Sequence, residues 1–114
     1  MGADDADAAL RERIAGLEEI VADDPQDHTA RFMLGTELAK VGGHARAAEQ
    51  FRIVIEVDAD YTAAWRGLGR ALIALGDVEG AREVFTKGLE VADRTGDLQS
   101  GKEMAVFLRR VSTS

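Results

Sequence analysis

The chain has no cysteine, no asparagine and a single proline, Pro25. It also has no apolar run approaching the roughly 18 residues that a bilayer span needs. Without cysteine there is neither a disulfide framework nor a thiolate metal site. With almost no proline, the scattered β-branched residues sit in an Ala-, Leu-, Glu- and Arg-rich mixture that favours helix. The N-terminal stretch MGADDADAAL lacks a basic start and an apolar centre, so no secretory signal is expected and a cytoplasmic location is the simplest reading. Bases are outnumbered 14 to 21 by acids, which gives a net charge of −7. Such a surface repels phosphate backbones and anionic lipid, so neither nucleic acid nor membrane is expected as a partner. Eleven of the bases are arginine and three lysine, a balance that suits a GC-rich genome or a salt-adapted cytoplasm. At 114 residues and 46% apolar composition, one domain with a real core is expected.

What is present is an internal repeat. Shifted by 34 residues, the window 28–61 matches 62–95 at ten positions, including Leu34/Leu68, Gly35/Gly69, Leu38/Leu72, Gly42/Gly76, Ala47/Ala81 and Phe51/Phe85. Matched glycines and large apolar residues at a fixed period point to stacked supersecondary units. Inside each unit the apolar spacing is helical: Leu34, Leu38 and Val41, then Ala47, Phe51, Val54 and Ile55, with copies at Leu68, Leu72, Leu75, Ala81, Phe85 and Leu89. Gly42-Gly43 and Gly76-Asp77 punctuate the two runs, while Asp27, Asp60 and Asp77 stand where helix N-caps belong.

Upstream, Leu17 and Val21 precede Phe51 and Ile55 by one period, so a second helix of a truncated unit is expected there. Downstream, Thr95-Gly96-Asp97 reads as a break and cap before a last amphipathic helix carrying Leu98, Gly101, Ala105, Leu108 and Val111. Its register departs from the repeat, with Lys102 where Leu34 and Leu68 recur, as suits a terminal unit. The expected organisation is therefore a disordered acidic tail over 1–7 and one domain over 8–112. That domain divides into an N-terminal capping helix 8–25, repeats 28–61 and 62–95, and a C-terminal capping helix 97–112.

Trp65-x2-Leu68-Gly69-x2-Leu72 followed by Ala81-x3-Phe85 resembles the tetratricopeptide repeat pattern W-x2-L-G-x2-Y, A-x3-F, P. The first unit offers the same with Arg31 at the tryptophan position, and leucine replaces the tyrosine in both. Pro25 is the surviving terminal proline; Ala59 and Asp93 replace it elsewhere. The resemblance implies an all-α, right-handed α-solenoid of antiparallel helix pairs, about six helices in all. It also implies a non-catalytic protein–protein interaction module.

The triplet Gly67, Gly69 and Gly76 does not read as a phosphate loop. No buried strand precedes it, and the third glycine of G-x-G-x-x-G would fall on Leu72. Gly35 and Gly69 read instead as packing glycines at a close helix crossing. Gly67 has no partner in the first unit and reads as a tolerated surface glycine or as a gap on the inner face.

No catalytic or metal constellation stands out. His28 and His44 lack ligand spacing, the carboxylates fall on solvated faces, and the DDADA run lacks the glycine and distal glutamate of a calcium loop. No enzyme activity, cofactor or metal is expected.

Function is expected from the concave face that the first helices line. In the first unit this face is Thr29, Phe32, Met33, Thr36 and Lys40; in the second, Ala63, Arg66, Gly67, Arg70 and Ala74. Arg66 and Arg70 are one turn apart and can meet a carboxylate of an acidic protein or peptide partner, or pair with acids of the chain itself. Some members of the family grip a C-terminal carboxylate with lysine and asparagine; this chain has no asparagine, and Thr36 and Arg70 occupy that position. A monomer is expected. Met104, Phe107, Leu108 and Val111 give the last helix more apolar breadth than one stripe needs, which reads first as a deep wrap on the preceding pair; the alternative is an exposed edge, and with it a self-associating structural subunit or homodimer.

Overall fold

The computed structural model describes residues 3–112. They form six helices: α1 (Ala3–Asp23), α2 (His28–Lys40), α3 (His44–Val57), α4 (Thr62–Ala74), α5 (Val78–Thr95) and α6 (Leu98–Ser112), and among the described residues there is no strand. The arrangement is an all-α solenoid in which α2–α3 and α4–α5 are the two full helix pairs.

The turns inside the pairs are built alike. Gly42 and Gly76 both take φ +80°, a left-handed conformation that any Cβ would strain. Around each, two bonds close the preceding helix. The Gly42 and Gly43 N–H groups donate to the Ala39 and Leu38 carbonyls, and those of Gly76 and Asp77 donate to Ile73 and Leu72. This is the Schellman closure, which satisfies carbonyls that a helix end otherwise orphans. The helix that follows needs a cap: Asp77 accepts from the Gly80 N–H at 2.9 Å. Asp27 does the same for α2 through the Ala30 N–H at 2.9 Å. Asp60 does not cap α4. Tyr61 stands at that position with no side-chain bond, and Asp60 turns outward to Arg94 at 2.7 Å.

The core runs along the stack. Leu34, Leu38, Ala47, Val54, Ala64, Ala81, Phe85 and Met104 are all at or below 2% exposure, so each pair hides its apolar stripe in the next. Phenylalanine seats on glycine at each crossing. A Cβ on Gly35 would fall 2.8 Å from the Phe51 ring, and one on Gly69 would intrude still further into Phe85. Gly67 proves to be no surface glycine: its Cβ would lie 2.7 Å from Cζ at the tip of the same Phe51 ring. Phe51 is thus held between Gly35 and Gly67. Close packing there outweighs the ~1 kcal/mol that glycine costs a helix.

The ends correct two expectations. The tail expected over 1–7 is helical from Ala3 onward, and residues 1 and 2 lie outside the described residues. At the other end, α6 starts 36 residues after α4, because α5 has 18 residues where α3 has 14 while the connection that follows shortens from 58–61 to 96–97. With that offset Ser100, Met104 and Leu108 take the places of Ala64, Leu68 and Leu72. The two extra residues explain why a strict 34-residue shift puts Lys102 at a core position.

Candidate functional site

Three first helices, α2, α4 and α6, stand side by side along the inner face. Between α2 and α4 lies a groove of about 430 Å³, lined by Phe32, Thr36, Lys40, Ala63, Arg66, Gly67, Arg70 and Ala74. Its floor is completed by Phe51 and Ala71, with Ala39 and His44 at the margin. Thr29 and Met33, expected on this face, are exposed and lie outside the groove, with Met33 at 50% exposure. Both precede the Phe32/Thr36 line on the helix and lie toward the end where no earlier first helix stands.

The floor is aromatic and small because of the packing below it. Phe32 tilts against Phe51 at 5.7 Å and against Tyr61 at 5.0 Å, so it is both a core and a lining residue. Gly67 carries no side chain above Phe51, so an edge of that buried ring borders the groove. Sequence spacing could place Gly67 on the inner face; only the crossing of α3 under α4 shows why nothing larger fits.

Charge gathers on the wall. Arg66 and Arg70 leave α4 one turn apart, yet they do different things. Arg66 pairs with Glu103 of α6 at 2.5 Å. Gln99 also donates to that carboxylate, at 3.0 Å. The Gln99 amide and the Arg66 charge hold the Glu103 carboxyl below the usual glutamate range. Arg70 is exposed, and its guanidinium lies over the Phe107 ring at 5.3 Å. Among the described residues no carboxylate is within ion-pairing distance of it. Lys40, at the groove margin, pairs with Glu37 at 3.1 Å. An aromatic floor with a cation at its rim can hold an apolar side chain and an acid one turn apart.

The apolar breadth of α6 is used internally. Met104 and Val111 are buried, and Phe107 stacks on Phe85 at 5.7 Å with an interplanar angle of 12°. Phe107 and Leu108 are half-buried. Among the described residues no group of three or more His, Cys, Asp or Glu could hold a metal ion, and no helix is long and apolar enough to cross a membrane.

One feature of the frame has no signal in single positions. Arg31 stands where Trp65 recurs, and both donate to the same place: Trp65 Nε1 to the Ala59 carbonyl at 2.8 Å, Arg31 Nε to the Pro25 carbonyl at 2.7 Å. Arg31 also donates to Gln50 at 2.9 Å, tying α2 to α3. The position therefore selects a long side chain with an N–H, whether or not it is aromatic.

Known proteins share this frame. The chain is 42% identical over 98 residues to a TPR repeat-containing protein of Pseudomonas aeruginosa, covering 86% of this chain and 93% of that one. A solution structure of a protein from Bordetella parapertussis superposes with a TM-score of 0.77 at 35% identity, over 88% of this chain and 87% of that one. The first TPR of Spaghetti (RPAP3), bound to the HSP90 peptide SRMEEVD, superposes with a TM-score of 0.82 at 19% identity, over 95% of this chain and 81% of that one. At that identity the likeness is one of fold. The tetratricopeptide repeat family model matches residues 32–97, which span both Gly-seated phenylalanines and the Trp65 motif. With the period, the paired helices and these relatives in agreement, the chain belongs to the tetratricopeptide repeat family.

Proposed function

We propose that the chain is a non-catalytic module that holds a peptide or helix of a partner protein in the groove between α2 and α4, with Arg70 meeting an acidic side chain or terminus. The single observation that carries this reading is Arg70, an exposed cation at the rim of an aromatic-floored groove, in a protein of net charge −7 whose other groove-wall arginine is already paired. Phe32, Phe51 and Ala71 give the occupant an apolar bed; the Thr36 hydroxyl, which donates to the Phe32 carbonyl, gives it an acceptor, and the Lys40 ammonium a donor. The same fold holds an acidic peptide in the RPAP3 complex, which supports an acidic occupant. The absence of asparagine argues for a grip other than a lysine–asparagine clamp.

The test is an amide chemical-shift titration with the heptapeptide SRMEEVD and with an analogue in which its acids are replaced by amides. Shifts should gather at Thr36, Gly67, Arg70 and Ala74. Both the neutral analogue and the Arg70→Ala variant should bind about tenfold more weakly, the size of one lost charge-assisted contact. Equal binding of the two peptides, or shifts spread over α1, α3 and α5, would overturn the reading.

A further inference from the structure

Among the described residues the solenoid runs from one half-repeat to another, and the halves not among them are opposite ones. α1 is a second helix without its first. Its exit copies that of α3 bond for bond: the Asp24 N–H donates to the Ile20 carbonyl as Asp58 does to Val54, and the Asp27 N–H to Asp24 as Tyr61 does to Asp58. The Gln26 N–H meets Asp24 Oδ1 as the Asp60 N–H meets Asp58 Oδ1. At the far end, α6 is a first helix without its second.

Both open sides can be read from the complete pairs. α3 turns Gln50 and Val54 toward α2; one period earlier, α1 carries Gly16 and Ile20 at those places. Val54 has 0% exposure, but Ile20 has 47%, and nothing lies within 4 Å of a Cβ placed on Gly16. α4 turns Trp65 and Gly69 toward α5, where they meet Gly88 and Phe85. With the 36-residue offset their places on α6 belong to Gly101 and Ala105, both half-buried and Gly101 beside Ala92 of α5, and that of Thr62 to Leu98. Thr62 is 7% exposed, whereas Leu98 is 74% exposed.

The charges complement each other. α1 carries seven acids against two arginines, with Glu12, Glu19 and Asp23 bordering Gly16 and Ile20. α6 carries three bases against one acid, with Lys102 and Arg109 bordering Leu98 and Ala105. Each end of the molecule thus presents what the other lacks in phase, in apolar surface and in sign.

From this geometry we infer that a second copy of the chain lays its α1 on the open side of α6. The junction completes a helix pair between two molecules and repeats into a linear head-to-tail array. Such a contact is heterologous: each copy offers one α1 and one α6, so assembly does not stop at two. The groove between α2 and α4 stays open in every copy.

Sedimentation velocity on the full chain, from micromolar to millimolar concentration, tests this. The wild type should grow in mass with concentration past the dimer. Ile20→Glu and Leu98→Glu change exposed residues, so each should keep the helical circular dichroism and the melting temperature of the wild type, and each alone should be monomeric. Mixed in equal amounts they should form a dimer and nothing larger, because one good α6 meets one good α1 and the remaining pair of ends is spoiled. A wild type that stays monomeric at millimolar concentration would overturn the inference. So would a dimer that Leu98→Glu abolishes and Ile20→Glu leaves intact, which would mean an α6-to-α6 contact, or a mixture that does not associate.

Discussion

In the first repeat Phe51 lies between Gly35 and Gly67, and part of its ring faces the groove; in the second, Phe85 lies on Gly69 with its other side covered by Phe107. Arg31 and Trp65 perform one backbone contact with different chemistry. Between neighbouring first helices the joints differ as well. His28 meets Tyr61 edge-on at 5.7 Å, whereas Thr62, its counterpart, donates to Asp97. The frame is therefore shared at the level of shape, turn and hydrogen-bond place. The side chains that fill it vary wherever the demand is for a reach or a contact and not for a particular volume. On the inner face Phe32 and Thr36 give way to Arg66 and Arg70, and the groove acquires unlike walls.

The largest test of this comparison removes the rings. Phe85→Ala should cost about 3–5 kcal/mol in urea denaturation, since the ring has 0% exposure and neighbours on both faces. Phe51→Ala should fall at the lower end of the same range, because that ring borders the groove and water can enter the space it leaves. Equal losses would mean that the groove edge is as well packed as the centre. Next in size come the seats. Gly69→Ala should destabilise by about 1–3 kcal/mol in spite of its better helix propensity, because Phe85 has to move. Gly16→Ala, with nothing near its Cβ, should raise stability by up to about 1 kcal/mol. A stabilising Gly69→Ala would remove the idea that glycine there is demanded by the ring.

Much of this frame was legible before any coordinates. The period, the paired helices, the glycine turns, and the Asp27, Asp77 and Asp97 caps all lie in residues that act within one helix or one turn, and local chemistry betrays them. Ala63, Arg66, Arg70, Phe32, Thr36 and Lys40 could be placed on the inner face by helical spacing alone. What escaped depends on how one helix lies on another. Gly67 looked free because its obstacle, Phe51, is 16 residues away on α3. Gly88 gave no signal at all, although its Cβ would lie 2.5 Å from Met104 Sδ. The place of Leu98 was misjudged because the two-residue offset ahead of α6 breaks the count. Thr29 and Met33 shared the stripe but not the groove, since a groove needs a wall on each side and only α4 supplies one.

The smallest effect concerns the joint between α4 and α6, and it carries a sign. Asp97 accepts from the Thr62 hydroxyl and from the Ser100 N–H at 3.1 Å, so one carboxylate caps α6 and ties it to α4. The Thr62 bond and then the Ser100 N–H hold its carboxyl below the ordinary value of 3.8. A carboxyl whose folded value is depressed contributes stability that is present in full above its unfolded value and is lost as pH falls through the folded one. Asp97→Ala should therefore cost about 1 kcal/mol at neutral pH, the worth of a helix cap. The difference between variant and wild type should shrink as the solution is acidified below pH 3.8 and vanish once the wild-type carboxyl is protonated. Thermal melts of the two proteins across that range measure it. At the His28–Tyr61 joint Tyr61 itself holds the equivalent place, with the Asp58 carboxylate 3.8 Å from His28 Nε2, so Tyr61→Leu removes a ring contact and no capping carboxylate. If the Asp97→Ala penalty is the same in acid as at neutrality, the cap acts through its shape and not through its charge, and the two joints are more alike than their chemistry suggests.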